Sequence, residues 1–354
     1  MTGPREAGRD RWRHAGQWIL LDARFHLLAI GQALYQGISP RLDVTARRVL
    51  LPRMRLAAQE RRPRAQVAED FGRRWSVRVQ PILGPASGAV LAVLGCYVPE
   101  GTELPEPPLV GGWEWHATPP GPDQQMRLYW SPDTFAVHGH PVPDGEEPHW
   151  WEAAQWLDEV VAGAHRADIQ RVLETFQAAA SDGLLIHSFA ARTAQGARVH
   201  VRLAGRRDVD GAGPDRWFRG VSTRVENDGA TPPAPSTAAV LDAAFAVSAD
   251  PLCAIDTSYE HIYMTSANFA VLGIELPADR YLPKMAHPDD LPALRGFLKE
   301  AATRPAETIG PVTVRMATRG RRGWTRVTLV GTGMRLSASG PQHHVLCRVT
   351  PAVG

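Results

Sequence analysis

The sequence is poor in cysteine and in lysine, and it lacks the short motifs that mark common enzyme classes. Its 3 cysteines lie far apart and form no C-x-x-C pair, so neither a disulfide framework nor a cysteine-ligated zinc site is expected. Neither of its lysines, Lys284 and Lys299, follows a glycine, which excludes a P-loop. G-x-S-x-G and H-E-x-x-H motifs are missing too. We therefore expect a protein that is not an enzyme, with an enzyme of unrecognised site as the less favoured alternative.

Long hydrophobic runs are also missing. The longest runs, such as Ala89–Gly95, are far shorter than the ~20 apolar residues that span a bilayer. The first 17 residues are rich in arginine and acidic residues and contain no apolar segment of the signal-peptide type. These features predict a cytoplasmic protein with no membrane association.

The composition is that of a globular protein with more than one domain. The chain has 354 residues, of which 44% are hydrophobic and 21% are charged, enough for two or three separate cores. Two proline-rich segments, Pro99–Pro108 and Glu226–Thr237, cannot form the interior of a helix or strand. They divide the sequence into a first unit (1–98, with a basic N-terminal tail), a second unit (110–226) and a third unit (238–351).

The three units share landmarks at a nearly constant spacing. Gly72, Gly196 and Gly320 are 124 residues apart, and a strand-like segment follows each of them. His165 and His287, 122 residues apart, each open a segment in which apolar residues recur at helical spacing. Strand-like segments also stand at the beginning and end of each unit. The predicted order is two strands, short helices, one longer helix and three antiparallel strands.

The second unit resembles the PAS domain family. It has a W-x-W pair, an S-P segment followed by Phe and Gly, an H-x-x-D helix start, an R…G hairpin and a closing strand, at Trp113, Trp115, Ser131–Phe135, Gly139, His165–Asp168, Arg192, Gly196 and Trp217–Gly220. The first unit is a degenerate copy of the pattern. The third unit shares fewer residues with the family, namely Asp256, Asn268, Gly273 and His287–Asp290.

The resemblance implies an α+β fold of tandem PAS-like domains, each a five-stranded antiparallel sheet with flanking short helices. Proteins of the family are sensor modules whose cup holds haem, a flavin, a metabolite or nothing, and they commonly dimerise. The chain is thus expected to be a sensor or scaffold in signal transduction that acts through protein–protein interaction. No segment remains for an output domain, so a separate signalling protein is the expected partner. The cofactor stays unknown.

Seven of the 11 tryptophans lie in the second unit. From their strand positions, and from the family pattern, we expect a ligand cup lined by Trp113, Trp115, Trp130, Phe135 and His165. Core packing is the favoured alternative for the tryptophans, since each buries on the order of 200 Å². Capping of a helix explains His165 without a ligand.

No metal site and no photoactive thiol are expected. His138, His140 and His149 could bind a metal as neutral imidazoles, but they lie in an acidic, proline-rich segment without cysteine. Photoreceptors of the family carry a reactive cysteine in one helix, and here the corresponding segment has Asn268 without a neighbouring cysteine.

Charge is distributed unevenly along the chain, with a net charge of +8 in residues 1–100, −8 in 101–228 and +2 in the remainder. Arginines cluster between Arg47 and Arg64, and such clusters neutralise phosphates, so a nucleic-acid-binding regulator is the alternative function. Aromatic residues for base stacking are not interleaved there, so nucleic acid is not the expected partner. The opposed charges predict instead that the first unit docks on the second, within one chain or in a homo-oligomer.

Overall fold

Antiparallel sheets with few helices build the chain, which is α+β as the sequence predicts. The structure, a computed structural model, describes residues 11–38, 41–118, 126–145, 148–162, 165–178, 183–208, 216–225, 237–321, 323–336 and 343–352. The predicted basic tail at 1–10 and most of the second proline-rich segment, 226–236, lie outside the described residues. The described residues form three sheets, one in each of the three units.

The strands follow one another along the chain with mostly short connections. The first sheet contains β1 (Ile19–Asp22), β2 (Leu27–Ile30), β3 (Ala33–Ile38), β4 (Arg64–Asp70), β5 (Arg73–Leu83) and β6 (Val90–Pro99). The second contains β7 (Val110–Ala117), β8 (Met126–Trp130), β9 (Trp150–Glu152), β10 (Leu184–Arg192), β11 (Arg198–Asp208) and β12 (Arg216–Arg224). The third contains β13 (Leu252–Asp256), β14 (His261–Thr265), β15 (Ile309–Ala317), β16 (Trp324–Met334) and β17 (His344–Pro351).

The helices lie between the early and the late strands of each unit or just before its first strand. They are α1 (Leu51–Glu60), α2 (Pro132–His138), α3 (Ala153–Glu159), α4 (Arg166–Ala178), α5 (Thr237–Val247), α6 (Leu282–Met285) and α7 (Leu291–Thr303). Shorter helical turns occur at Ala46–Leu50, Ala267–Leu272, Pro288–Asp290 and Arg319–Arg321. No helix among the described residues is long and apolar enough to cross a membrane.

The three sheets share one strand order. It is β3-β2-β1-β6-β5-β4 in the first unit, β9-β8-β7-β12-β11-β10 in the second and β14-β13-β17-β16-β15 in the third. The expectation of five strands in every sheet is wrong for the first two units, which have six. The additional edge strands are β3, which turns back on β2 after Gly31, and β9, which pairs with β8 after a proline-rich stretch. Strand β9 contains only three residues, Trp150–Glu152. So short a strand shows no alternation of apolar and polar residues in the sequence.

The repeated glycines lie in the turn that precedes the second-to-last strand of each unit. Gly72, Gly196 and Gly320 have φ angles of 69°, 81° and 74°. This left-handed region is costly for residues with a Cβ atom, so glycine suits a tight hairpin turn. The strand-like segments predicted after these glycines are β5, β11 and β16.

The first and second sheets pack against each other through an apolar layer. Along β1, Ile19 and Leu21 belong to the core of the first unit, while Trp18 and Leu20 lie in a second cluster shared with Val110 of the second unit. Alternate residues of a strand point to opposite faces, so a strand that is buried on both faces is apolar throughout. This explains the continuous apolar run of β6.

The helical side of the second unit packs against the sheet of the third unit. On β13, Cys253 and Ile255 face the core of the third unit, whereas Ala254 joins a cluster with the tryptophans of the second unit. Leu241 and Phe245 of α5 belong to the same cluster. The second unit is therefore held between the other two.

Charged groups of both signs from the second unit contact the first unit. Asp22 of the basic first unit pairs with Arg206 of the acidic second unit, at 2.8 Å between Oδ2 and Nη2. Arg202 of the second unit donates to the carbonyl oxygen of Leu28 at 3.0 Å and to that of Tyr35. In these two contacts the second unit supplies the cation, whereas Oε2 of its Glu114 accepts hydrogen bonds from the backbone N–H groups of Ala86 and Ser87 in the first unit.

Candidate functional site

Three of the five residues predicted to line a cup in the second unit do enclose a cavity. Trp113 and Trp115 lie on β7 and Trp130 ends β8, with Trp113 and Trp130 directly paired across the two strands. All three are buried, and Trp156 of α3 closes the cavity from the helical side. The remaining lining residues are Leu128, His138, Ile169, Val172, Leu173, Leu203 and Phe218.

The cavity is almost filled by the side chains that surround it. Its volume is about 30 Å³, enough for one or two water molecules. Sites for drug-sized ligands have volumes of about 300–1,000 Å³. Trp115 and Trp156 meet edge to face, with ring centroids 6.4 Å apart. In this conformation the cavity has no room for haem or a flavin, and the tryptophans form a packed aromatic core.

Phe135 and His165, the other two predicted cup residues, do not line the cavity. Phe135 of α2 packs edge to face on Trp130, with ring centroids 5.0 Å apart, and so supports the cup wall from behind. His165 precedes α4 and is half-buried, and burial lowers its pKa. The family pattern places such residues by element, but the direction of each side chain depends on how the helices settle on the sheet.

His138 lines the cavity, although the sequence suggested for it only a metal site with His140. Its Nδ1 lies 2.9 Å from the carbonyl oxygen of Thr134, which can only accept, so Nδ1 carries the proton. Nε2 is then an acceptor, and among the described residues it has no partner. The ring stacks on Trp130 at 4.3 Å, and burial lowers its pKa to about 3. Its place in the last turn of α2, beside an aromatic strand, is the signal that could have found it.

A much larger cleft lies where the second unit meets the third. Its volume is about 720 Å³, within the range of small-molecule sites. Its floor is apolar and comes mainly from α5, β14 and the segment after β14, with Phe245, Met264, Phe269, Ile274 and Leu276. Its charged groups are Asp158, Arg166, Arg198, Arg280 and Arg319.

These polar groups give the cleft an excess of positive charge. Asp158 binds Arg166 at 2.8 Å and Arg280 at 2.6 Å. Arg280 is only 6% exposed, and its bond to Asp158 joins the third unit to the second. Arg198 and Arg319 have no salt-bridge partner in the part of the chain that the structure describes. Four arginines and one aspartate leave a net charge of +3 in a partly apolar cleft.

The arginine cluster of the first unit is partly engaged within that unit. Arg48 binds Asp70 at 2.8 Å, and Arg64 binds Glu60. Arg53 donates to the carbonyl oxygen of Val49 at 2.7 Å. These contacts reduce the number of guanidinium groups available for phosphates.

Comparison with known proteins identifies similar structures but no family. No protein-family model and no curated protein matches the sequence. An uncharacterized protein from Mycobacterium tuberculosis is similar over 96% of this chain and 97% of its own, at 14% identity and a TM-score of 0.62. That likeness shows that the same fold, over nearly the whole chain, occurs in a second protein.

Two further similar structures cover smaller parts or superimpose less well. A sensory box histidine kinase/response regulator from Burkholderia thailandensis matches 33% of this chain and 76% of its own, at 20% identity and a TM-score of 0.24. An RNA-binding Light-Oxygen-Voltage receptor matches 68% of this chain and 95% of its own, at 10% identity and a TM-score of 0.26.

Proposed function

We propose that this chain is a sensor or scaffold in signal transduction, and that it takes its ligand in the cleft between the second and third units. The ligand class is a small organic anion with an apolar body, such as a carboxylate or a phosphate ester. One observation carries this assignment: a cleft of about 720 Å³ combines an apolar floor with a net charge of +3.

The chemistry of the cleft fits such an anion on both counts. Guanidinium groups bind carboxylate and phosphate oxygens through paired N–H donors, and these charge-assisted bonds are stronger than neutral ones. The apolar floor gains free energy when it covers an apolar body. Binding sites also form preferentially at the interfaces of domains.

The position of the cleft supports a role in signalling. Arg166 and Arg198 belong to the second unit, whereas Arg280 and Arg319 belong to the third. An anion that binds both sets would stabilise one arrangement of the two units over others. A ligand shifts such an equilibrium by its difference in affinity for the two states, and a partner protein can read the result. The tryptophan core of the second unit serves as the packed support in this scheme.

Binding of decanoate tests the site. It is measured by the displacement of a fluorescent probe, anilinonaphthalene sulfonate, from the protein. We expect one saturable site per chain and at least a tenfold loss of affinity in the double variant Arg198→Gln/Arg319→Gln, because each lost charged hydrogen bond is worth about 1.5–3 kcal/mol. The matched control is Arg47→Gln/Arg62→Gln, which removes two exposed arginines of the first unit. Equal affinities in the two double variants, or no saturable binding by the natural sequence, would overturn the assignment.

A further inference from the structure

A buried carboxylate in the third unit has a histidine opposite it on each neighbouring strand. Asp256 ends β13 and is fully buried. Across the sheet it pairs in register with His261 of β14 and with His344 of β17. His343, the residue before β17, brings its Nε2 to 3.8 Å from Oδ2 of Asp256. One acidic and three basic side chains thus converge at one end of the sheet.

The carboxylate of Asp256 is held in a fixed orientation. Its Oδ1 accepts hydrogen bonds from the backbone N–H groups of Ser258, at 2.8 Å, and Tyr259, at 3.3 Å. Its Oδ2 faces the second unit, where it accepts a hydrogen bond from Nε2 of Gln170 at 3.2 Å. Carboxylates that ligate metals are typically oriented by such outer hydrogen bonds.

The distances among three of these side chains suit a metal ion. One ligand atom from each of Asp256, His343 and His344 lies within 4.8 Å of the other two. Zinc binds nitrogen and oxygen at about 2.0–2.2 Å in a tetrahedral arrangement, so two ligand atoms of one ion are roughly 3.4 Å apart. Side-chain movements of about 1 Å therefore bring all three atoms into one coordination sphere.

Two buried polar groups beside the cluster independently indicate that a ligand binds here. His261 is 3% exposed, and neither of its ring nitrogens has a hydrogen-bond partner among the described residues. The side-chain oxygen of Gln170, which is 1% exposed, also lacks one there. Unpaired buried polar atoms are costly, about 1–3 kcal/mol each, so native structures seldom retain them without a partner. As a fourth ligand, His261 would bind the ion through one of its ring nitrogens, and a metal-bound water would donate to the side-chain oxygen of Gln170.

We propose that Asp256, His343 and His344 bind a divalent transition-metal ion of the zinc class, with His261 beside it as a further ligand. Imidazole and carboxylate ligands without thiolate favour zinc, iron, nickel or copper over calcium and magnesium. His343 is the ligand nearest solvent, with 19% of its side chain exposed, so the ion enters from that side. Through Gln170 the ion would also hold α4 of the second unit against the third unit.

Titration of the metal-free full-length protein with Zn²⁺, followed by calorimetry, tests the site. We expect one ion per chain and at least a tenfold weaker binding in Asp256→Asn and in His344→Gln. His343→Gln removes the least buried ligand and is expected to fold, so it decides the test if the other variants do not. The matched control is His287→Gln, which removes a histidine that faces Asp289 at 3.5 Å on the surface of the same unit.

Two results would overturn the metal site. One is the absence of stoichiometric Zn²⁺ binding by the natural sequence. The other is equal affinity in His343→Gln and His287→Gln, which would place the ion elsewhere. Decanoate binding measured without metal is independent of both results, since none of the cleft residues is changed.

Discussion

Acidification should destabilise this protein through His138, the histidine enclosed by the tryptophan core. Burial lowers the pKa of His138 from the ordinary 6.5 to about 3. Above pH 6.5 both the folded and the unfolded chain carry a neutral imidazole, and the stability due to its burial is fully present. As the pH falls below 6.5, the unfolded chain gains a proton that the folded chain does not bind. The free energy of unfolding therefore falls with pH until the folded-state pKa is reached.

The size of the loss at pH 5 follows from the unfolded state. The folded-state pKa lies about two units below pH 5, so the folded imidazole remains neutral throughout this range. Each pKa unit corresponds to about 1.36 kcal/mol, and pH 5 lies about 1.5 units below the unfolded-state pKa. His138 alone should therefore lower the free energy of unfolding by about 2 kcal/mol between pH 7 and pH 5.

Urea unfolding of the natural sequence and of His138→Phe at both pH values measures this contribution. Phenylalanine preserves the stacking on Trp130 but cannot titrate, and the other buried histidines contribute equally to both proteins. The natural sequence should lose about 2 kcal/mol more than the variant. If the two proteins lose the same free energy, His138 is not neutral and buried as described, and the reasoning fails.

Further variants test the packing between and within the units. Arg206→Met leaves Oδ2 of the buried Asp22 without its guanidinium partner and should cost about 2–4 kcal/mol in urea unfolding, part of which Asp22→Asn should restore in the double variant. Unchanged stability of the single variant would show that the ion pair is dispensable.

Gly333→Ala places a Cβ atom 2.2 Å from the carbonyl oxygen of Ala301 and should lower the melting temperature. Gly296→Ala in α7 meets no atom within 4 Å and should raise stability by about 0.5–1 kcal/mol, and the opposite order would contradict the described packing.

The elements with strong periodic signals could be predicted from the sequence. The segment after His165 is α4, and the segment after His287 is α7, where the His287 side chain accepts the N–H of Asp289 at 3.3 Å. The predicted closing strands are β6, β12 and β17. Edge strand β9 is not predictable because it has only three residues, and β3 is not because its apolar and polar residues do not alternate. Phe135 and His165 do not line the cavity, because a family pattern gives the element of a residue but not the direction of its side chain.

The sequence by itself determined the succession of strands and helices, the glycine turns and the concentration of tryptophan in the second unit. These features depend on neighbours along the chain, through backbone conformation and hydrophobic period. Only the tertiary structure decided that the tryptophans leave a cavity of about 30 Å³, and that four arginines from two units share one cleft. It also decided that Asp256 meets three histidines. Such groupings join residues far apart in sequence, and they depend on which faces of the three sheets are buried against one another.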